Sequence, residues 1–195
     1  MLKEYARIVM LFILIPIFWS FSIAESRGEF SPKGGYFKGE LRLLDVASNY
    51  VDRGPHDPGH TEFKLLQPYT YKDKLGRSWT APAGSVVNGA SIPKAIWSWI
   101  GGPWSGRYRN AAVIHDWMCE KKIADSTTAH RIFHEALLVN GVSTFHARVM
   151  YEAVLLGGPQ WNATPFGPSS TKRREFTSSD LQKIIAKARR QGFRP

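Results

Sequence analysis

Residues 78–100 read SWTAPAGSVVNGASIPKAIWSWI, and the fold turns on a change of rhythm inside them. Up to Ala81 the pattern has the period of two that suits a half-buried strand. Past Pro82-Ala83-Gly84 the period becomes nearly four, the repeat of a helix. On the N-terminal side, residues 62–71 (EFKLLQPYTY) form a strand in which Pro68 marks an edge or a bulge. Residues 72–76 turn the chain and 77–81 return, which makes a β-hairpin. Further back, residues 36–46 contain Leu41, Leu43 and Leu44 and read as one more strand. Residues 52–61 (DRGPHDPGHT) are a loop.

On the C-terminal side the sequence punctuates helices. Residues 92–100 form the first, with Ser91 as N-cap and Pro93 in its first turn. Residues 107–120 form the second, whose Ala111, Ala112, Ile114 and Met118 can face a core. Asp125 caps a third over 126–139, stopped by Asn140-Gly141, and Ser143 caps a fourth over 144–156, stopped by Gly157-Gly158-Pro159. Strands first and helices afterwards predict an α+β domain: an N-terminal β-hairpin or small antiparallel sheet, a bundle of about four helices, and a basic C-terminal helix.

A length of 195 residues fits one domain with appendages. The divisions expected are a signal peptide over 1–24, an extension with one strand and a loop over 25–61, a core domain over 62–161, and a linker with a basic amphipathic tail over 162–195. A hydrophobic fraction of 43% is enough for a packed core and excludes global disorder. Lys and Arg number 26 against 16 Asp and Glu, a net charge of +10 that favours anionic partners.

The first residues read as an export signal. Lys3 and Arg7 precede an apolar run over 8–21, and Ser22-Ile23-Ala24 sets small residues where a signal peptidase cuts. The run falls short of the roughly 20 residues of a membrane span, so cleavage after Ala24 is expected, with an uncleaved anchor as the alternative. No cysteine follows the run, which excludes a lipoprotein. The domain is therefore expected in the periplasm or outside the cell, in reach of an anionic envelope polymer or a membrane surface. Export disfavours nucleic acid as the partner. Oligomeric state is not encoded legibly.

Between residues 171 and 195 stand eight basic residues and two acidic ones, while Leu181, Ile184, Ile185 and Ala188 share one helix face. Two readings are open for this tail. It lies on an anionic membrane or wall, or its apolar stripe packs back on the domain. Cys119 is the only cysteine, so no internal disulfide and no cluster of thiolates can form. It reads as a buried helical thiol, with a nucleophile as the alternative.

Several separated motifs stand in one order: Ala81-Pro82-Ala83-Gly84, Gly89-Ala90-Ser91-Ile92-Pro93, the AAVIHDW run over 111–117, Ala124-Asp125, and MYEAVLLGG over 150–158. In this order the chain resembles the phage and bacterial family called domain of unknown function 1353, over about residues 62–161. The resemblance implies a fold and a site more than a reaction. The family usually has Asp before Gly-Ala-Ser-Ile-Pro, where this chain has Asn88.

The chemistry-bearing residues gather near those motifs. His115 and Asp116 could bind a divalent metal or steer a water. Adjacent helical residues point about 100° apart, so a further acid is required, and Asp125 is the nearest. His130 and His134 stand at i, i+4, a zinc-ligand spacing, although HRIFHE is not the arrangement of a metalloprotease. Asn88 and Ser91 border the ligand side of the turn. Trp99 and Trp104 read as an exposed platform for a flat ligand, Trp97 and Trp117 as core. Against these readings, caps explain Asp125 and Ser91, a tight turn explains Asn88, and a core carbonyl explains His115. The leading expectation is a metal-assisted hydrolase of the cell envelope, acting on peptidoglycan, with His115 and Asp116 catalytic and Asp125 assisting. The alternative is a non-enzymatic envelope-binding or phage-derived interaction module.

Overall fold

A computed structural model describes residues 34–46, 62–89, 91–100, 106–162, 169–171 and 175–195. The expected signal peptide, the loop over 52–61, most of the linker and Trp104 lie outside the described residues.

The strands come first. β1 (Tyr36–Lys38), β4 (Tyr69–Lys72) and β5 (Ser78–Ala81) form one antiparallel sheet in the order β1-β4-β5. β2 (Leu43–Val46), β3 (Glu62–Leu65) and β6 (Val86–Val87) form another, in the order β2-β3-β6. Each strand expected from the sequence, 36–46 and 62–71, is thus two strands. The register is kept across both breaks, since Lys38 stands opposite Thr70 and Leu43 opposite Leu65. The two sheets are two stretches of one bent ribbon. Gly39, at a φ of 89°, and Pro68 lie at the bend, where Gln67 donates to the Glu40 carbonyl and Leu66 to that of Arg42. Proline lacks the amide that a continuous ladder would use, which accounts for the interruption.

The hairpin between β4 and β5 is tied by a buried carboxylate. Asp73 accepts from the amides of Leu75 and Arg77, from Arg77 Nε and from Trp79 Nε1, at 2.7–3.1 Å. Burial acts to raise the pKa of this carboxyl, but these bonds outweigh it and hold the pKa below its ordinary range.

The helices are α1 (Lys94–Ile100), α2 (Arg109–Lys121), α3 (Ser126–Val139), α4 (Thr144–Gly157) and α5 (Ser178–Arg190), with a 3-10 turn over Gly106–Tyr108 leading into α2. The short strands β7 (Gln160–Asn162) and β8 (Ser169–Thr171) pair where the sequence suggested only linker. An α+β architecture results, with antiparallel sheets followed by five helices among the described residues.

α2 is the axis of the molecule. Every residue from Ala111 to Cys119 is buried, so this helix is covered on all sides, by β4, β5 and β6 as well as by α3. α3 supplies Ile132, Phe133, Ala136 and Leu137 to the same core, and α4 supplies Val149, Met150 and Ala153. The tail resolves to the second of its readings. Leu181, Ile184, Ile185 and Ala188 are buried, and α5 packs on α4 and α1. Its start is held by a capping box in which Thr177 and Asp180 exchange side-chain to backbone hydrogen bonds. The joint between α4 and α5 requires a residue without a side chain, because a Cβ on Gly157 would collide with the Phe176 side chain.

Candidate functional site

The site is built where the turn before α1 meets the middle of α2. Gly89, at a φ of 70°, lets the chain curl so that consecutive amides face one way. The Asp116 carboxylate fills that curl. Its Oδ2 accepts from Asn88 N at 2.6 Å and Gly89 N at 2.9 Å, and its Oδ1 from Ser91 N at 3.3 Å. Asp116 therefore staples the turn to the helix, and three backbone amides take up most of its acceptor capacity. The expectation that it steers a water or holds an ion meets a carboxylate already engaged by three donors.

Ser91 differs from its expected role as well. α1 starts at Lys94, and the Ser91 hydroxyl is no helix cap: its Oγ lies 3.1 Å from His115 Nδ1. His115 is wholly buried, one helical step from Asp116, and its Nε2 lies 2.9 Å from His130 Nδ1 on α3. The far side of His130 meets the Pro159 carbonyl, with Nε2 to oxygen at 3.1 Å. Phe133 stacks on the His115 ring and Trp161 stands edge-on to His130, so both imidazoles are held in orientation. Burial pushes the pKa of His130 down to about 4, against the hydrogen bond to Pro159 and the charge of Asp125, so the ring is neutral near pH 7.

The carbonyl at the end of this row decides where its protons sit. A carbonyl only accepts, so His130 Nε2 carries hydrogen and Nδ1 offers a lone pair. His115 Nε2–H donates to that lone pair, and His115 Nδ1 accepts from the Ser91 hydroxyl. The result is a directed chain from Ser91 through two imidazoles to Pro159. Cys119 joins it from one turn below His115 on α2, with Sγ 3.5 Å from His115 Nε2. His115, Cys119 and His130 each bring one donor atom into a group spanning no more than 4.8 Å.

Above this buried cluster lies a hollow of about 390 Å³. Asn88, Ser91, Asp116, Cys119, Glu62 and Glu120 are among its walls. Glu62 faces Asn88 one step beyond the Phe63–Val87 pair of the β3–β6 ladder, which sets both on one side of the sheet.

The remaining expected site residues are elsewhere. Asp125 caps α3, accepting from the Thr128 amide and hydroxyl at 2.8 Å. Burial acts to raise its pKa, but these bonds prevail and lower it. It does not line the hollow. His134, spaced from His130 as zinc ligands are, packs on Tyr151, so the partner of His130 is His115 and not its neighbour on α3. Trp99 is half-buried, stacked on His146 and edge-on to Phe145, away from the hollow. Sequence reading gave Cys119 as a buried helical thiol, as found, but did not place it beside His115. The signal was present: His115 and Cys119 share the i, i+4 spacing noticed for His130 and His134.

A small α+β domain with a buried His-His-Cys cluster under a hollow defines the class. Residues 63–154 match the model of the family described as "Protein of unknown function (DUF1353)", and this part of the chain is similar to that family. An uncharacterized protein of Sinorhizobium fredii, y4jT, is 36% identical over 151 residues, covering 71% of this chain and 42% of that protein. A second from the same organism, y4iH, is 32% identical over 126 residues, covering 64% of this chain and 48% of its own length. The chain thus spans less than half the length of the curated relatives it matches. No solved structure matches it.

Proposed function

We propose that this protein is a hydrolase of the cell envelope that acts after export, with its reaction centre at the floor of the hollow, around His115. One observation carries the reading: Ser91, Asp116 and Cys119 form a polar wall of a space of about 390 Å³, and the buried His115–His130 pair lies directly behind that wall, bonded to it through Ser91 Oγ. A group that must take a proton from a water or hydroxyl and pass it on needs an oriented, neutral imidazole within hydrogen-bond reach. The row from Ser91 to Pro159 has that form. Asp116 acts as a positioning residue, holding the turn that presents Ser91. An anionic polymer is the substrate class favoured by the net charge of +10 and by the exposed Lys183, Arg189 and Arg190 of α5.

A non-enzymatic interaction module remains the rival. The commitment of Asp116 and Asp125 to backbone amides favours it, since both carboxylates then serve the fold. Purified protein incubated with isolated sacculi separates the two. Release of soluble fragments, lost in His115→Gln with the melting temperature retained, supports the hydrolase. Intact sacculi with normally folded wild-type protein support the module.

A further inference from the structure

We infer that His115 Nε2, His130 Nδ1 and Cys119 Sγ form a binding site for one zinc-like divalent ion, with a fourth coordination position turned toward the hollow. This goes beyond the hydrolase reading, because the site exists whatever reaction it serves.

The argument starts from two ring nitrogens. His115 Nε2 and His130 Nδ1 point at each other across 2.9 Å, and a single shared proton is what keeps two such lone pairs together. A cation can replace that proton. Nitrogens bound at about 2.0–2.1 Å to a tetrahedral zinc stand about 3.3 Å apart, and a nitrogen and a thiolate sulfur about 3.6 Å. The rings must part by only about 0.4 Å to reach that spacing. The separation of Cys119 Sγ from His115 Nε2, 3.5 Å, already matches it.

The surroundings complete the case. Histidine ligands of metals regularly donate their second ring nitrogen to an oxygen, which fixes ring and tautomer. Both histidines have that oxygen in place, the Ser91 hydroxyl for His115 Nδ1 and the Pro159 carbonyl for His130 Nε2. When an ion binds, the His115 proton moves from Nε2 to Nδ1 and is donated to Ser91 Oγ. The Cys119 thiol proton leaves to solvent, and sulfur bonds the metal as thiolate. One proton is released per ion. Two imidazoles and one thiolate select zinc or a similarly borderline-soft ion over magnesium and calcium, which take oxygen ligands. Three protein ligands, with Cys119 itself in the wall of the hollow, match the pattern of zinc sites that keep a place for water or substrate.

The test uses the untagged full chain equilibrated with zinc alone, or with cobalt alone, and then dialysed. The inference requires one bound ion per chain and a cobalt spectrum with a thiolate-to-metal charge-transfer band and intense four-coordinate visible bands. Cys119→Ser should abolish the charge-transfer band, and Cys119→Ser or His130→Asn should weaken binding by more than about 100-fold. Ser91→Ala should weaken it by about 10–100-fold with the band retained, as expected for loss of an orienting partner. His134→Ala, on the same helix, should change neither quantity. A chain that retains no ion, or bound cobalt without a charge-transfer band, overturns the inference on wild-type protein alone, even where a ligand variant fails to fold. Zinc bound as described with sacculi left intact would defeat only the hydrolase reading. Sacculi cleaved by a chain that retains no zinc or cobalt would defeat only the metal site.

Discussion

Replacing Asp116 by Asn probes the joint on which the site is assembled. Three backbone amides converge on this carboxylate at 2.6, 2.9 and 3.3 Å. Asparagine offers one oxygen and one NH₂, and the cheaper orientation keeps the oxygen toward Asn88 and Gly89. The Ser91 amide then faces a donor and is left unsatisfied, at about 1–3 kcal/mol. The two surviving bonds lose their charge assistance, about 1 kcal/mol each. The expected loss is about 3–5 kcal/mol, which for a protein of this size lowers the melting temperature by about 6–20 °C. Urea unfolding followed by circular dichroism measures it, with an unchanged m-value showing that the loss lies in the native state. Ser91 should also lose its aim at His115, so any activity or ion binding should fall further than stability alone accounts for. A destabilisation below about 1 kcal/mol, with site properties intact, would refute the view that Asp116 staples the turn to α2.

Other perturbations discriminate further. Asp125→Ala should cost about 1 kcal/mol through loss of the α3 cap and leave the affinity for zinc unchanged; a large loss of ion binding would return Asp125 to the site. Gly157→Ala should destabilise by about 1–3 kcal/mol by forcing Phe176 away, seen as a shifted urea midpoint; a neutral result would place α5 elsewhere. Metal-free protein should lose stability as pH falls from about 6.5 to about 4. In that window unfolded chains protonate His130 while the folded ring, with its pKa at about 4, stays neutral, so the unfolded state binds more protons. The depression is worth about 3 kcal/mol, and His130→Asn should flatten the slope of stability against pH there.

How much of this was legible in the sequence follows from how local each signal is. α3 was readable to its ends because Asp125 and Asn140-Gly141 act within one turn of it. The hairpin was readable because Asp73 and Gly76 mark its turn. The division of 36–46 and 62–71 was not, since the two halves of the ribbon keep one register and only Pro68 signals the break. α2 hid its functional face because it is buried all round and shows no polar stripe to contrast with. Ser91 passed for a helix cap because a serine two residues before proline at a helix start is a sound capping pattern; its true partner lies 24 residues away. The pairing of His115 with His130 crosses from one helix to the next, so no spacing along the chain announces it. β7 and β8 are three residues each, too short for a pattern.

The convergence of His115, Cys119 and His130 on one point beneath the hollow is what the functional account rests on, and X-ray absorption at the zinc edge reads it directly. Zinc-loaded protein should show one sulfur at about 2.3 Å and two imidazole nitrogens at about 2.0–2.1 Å. A first shell of oxygen and nitrogen alone would contradict the account.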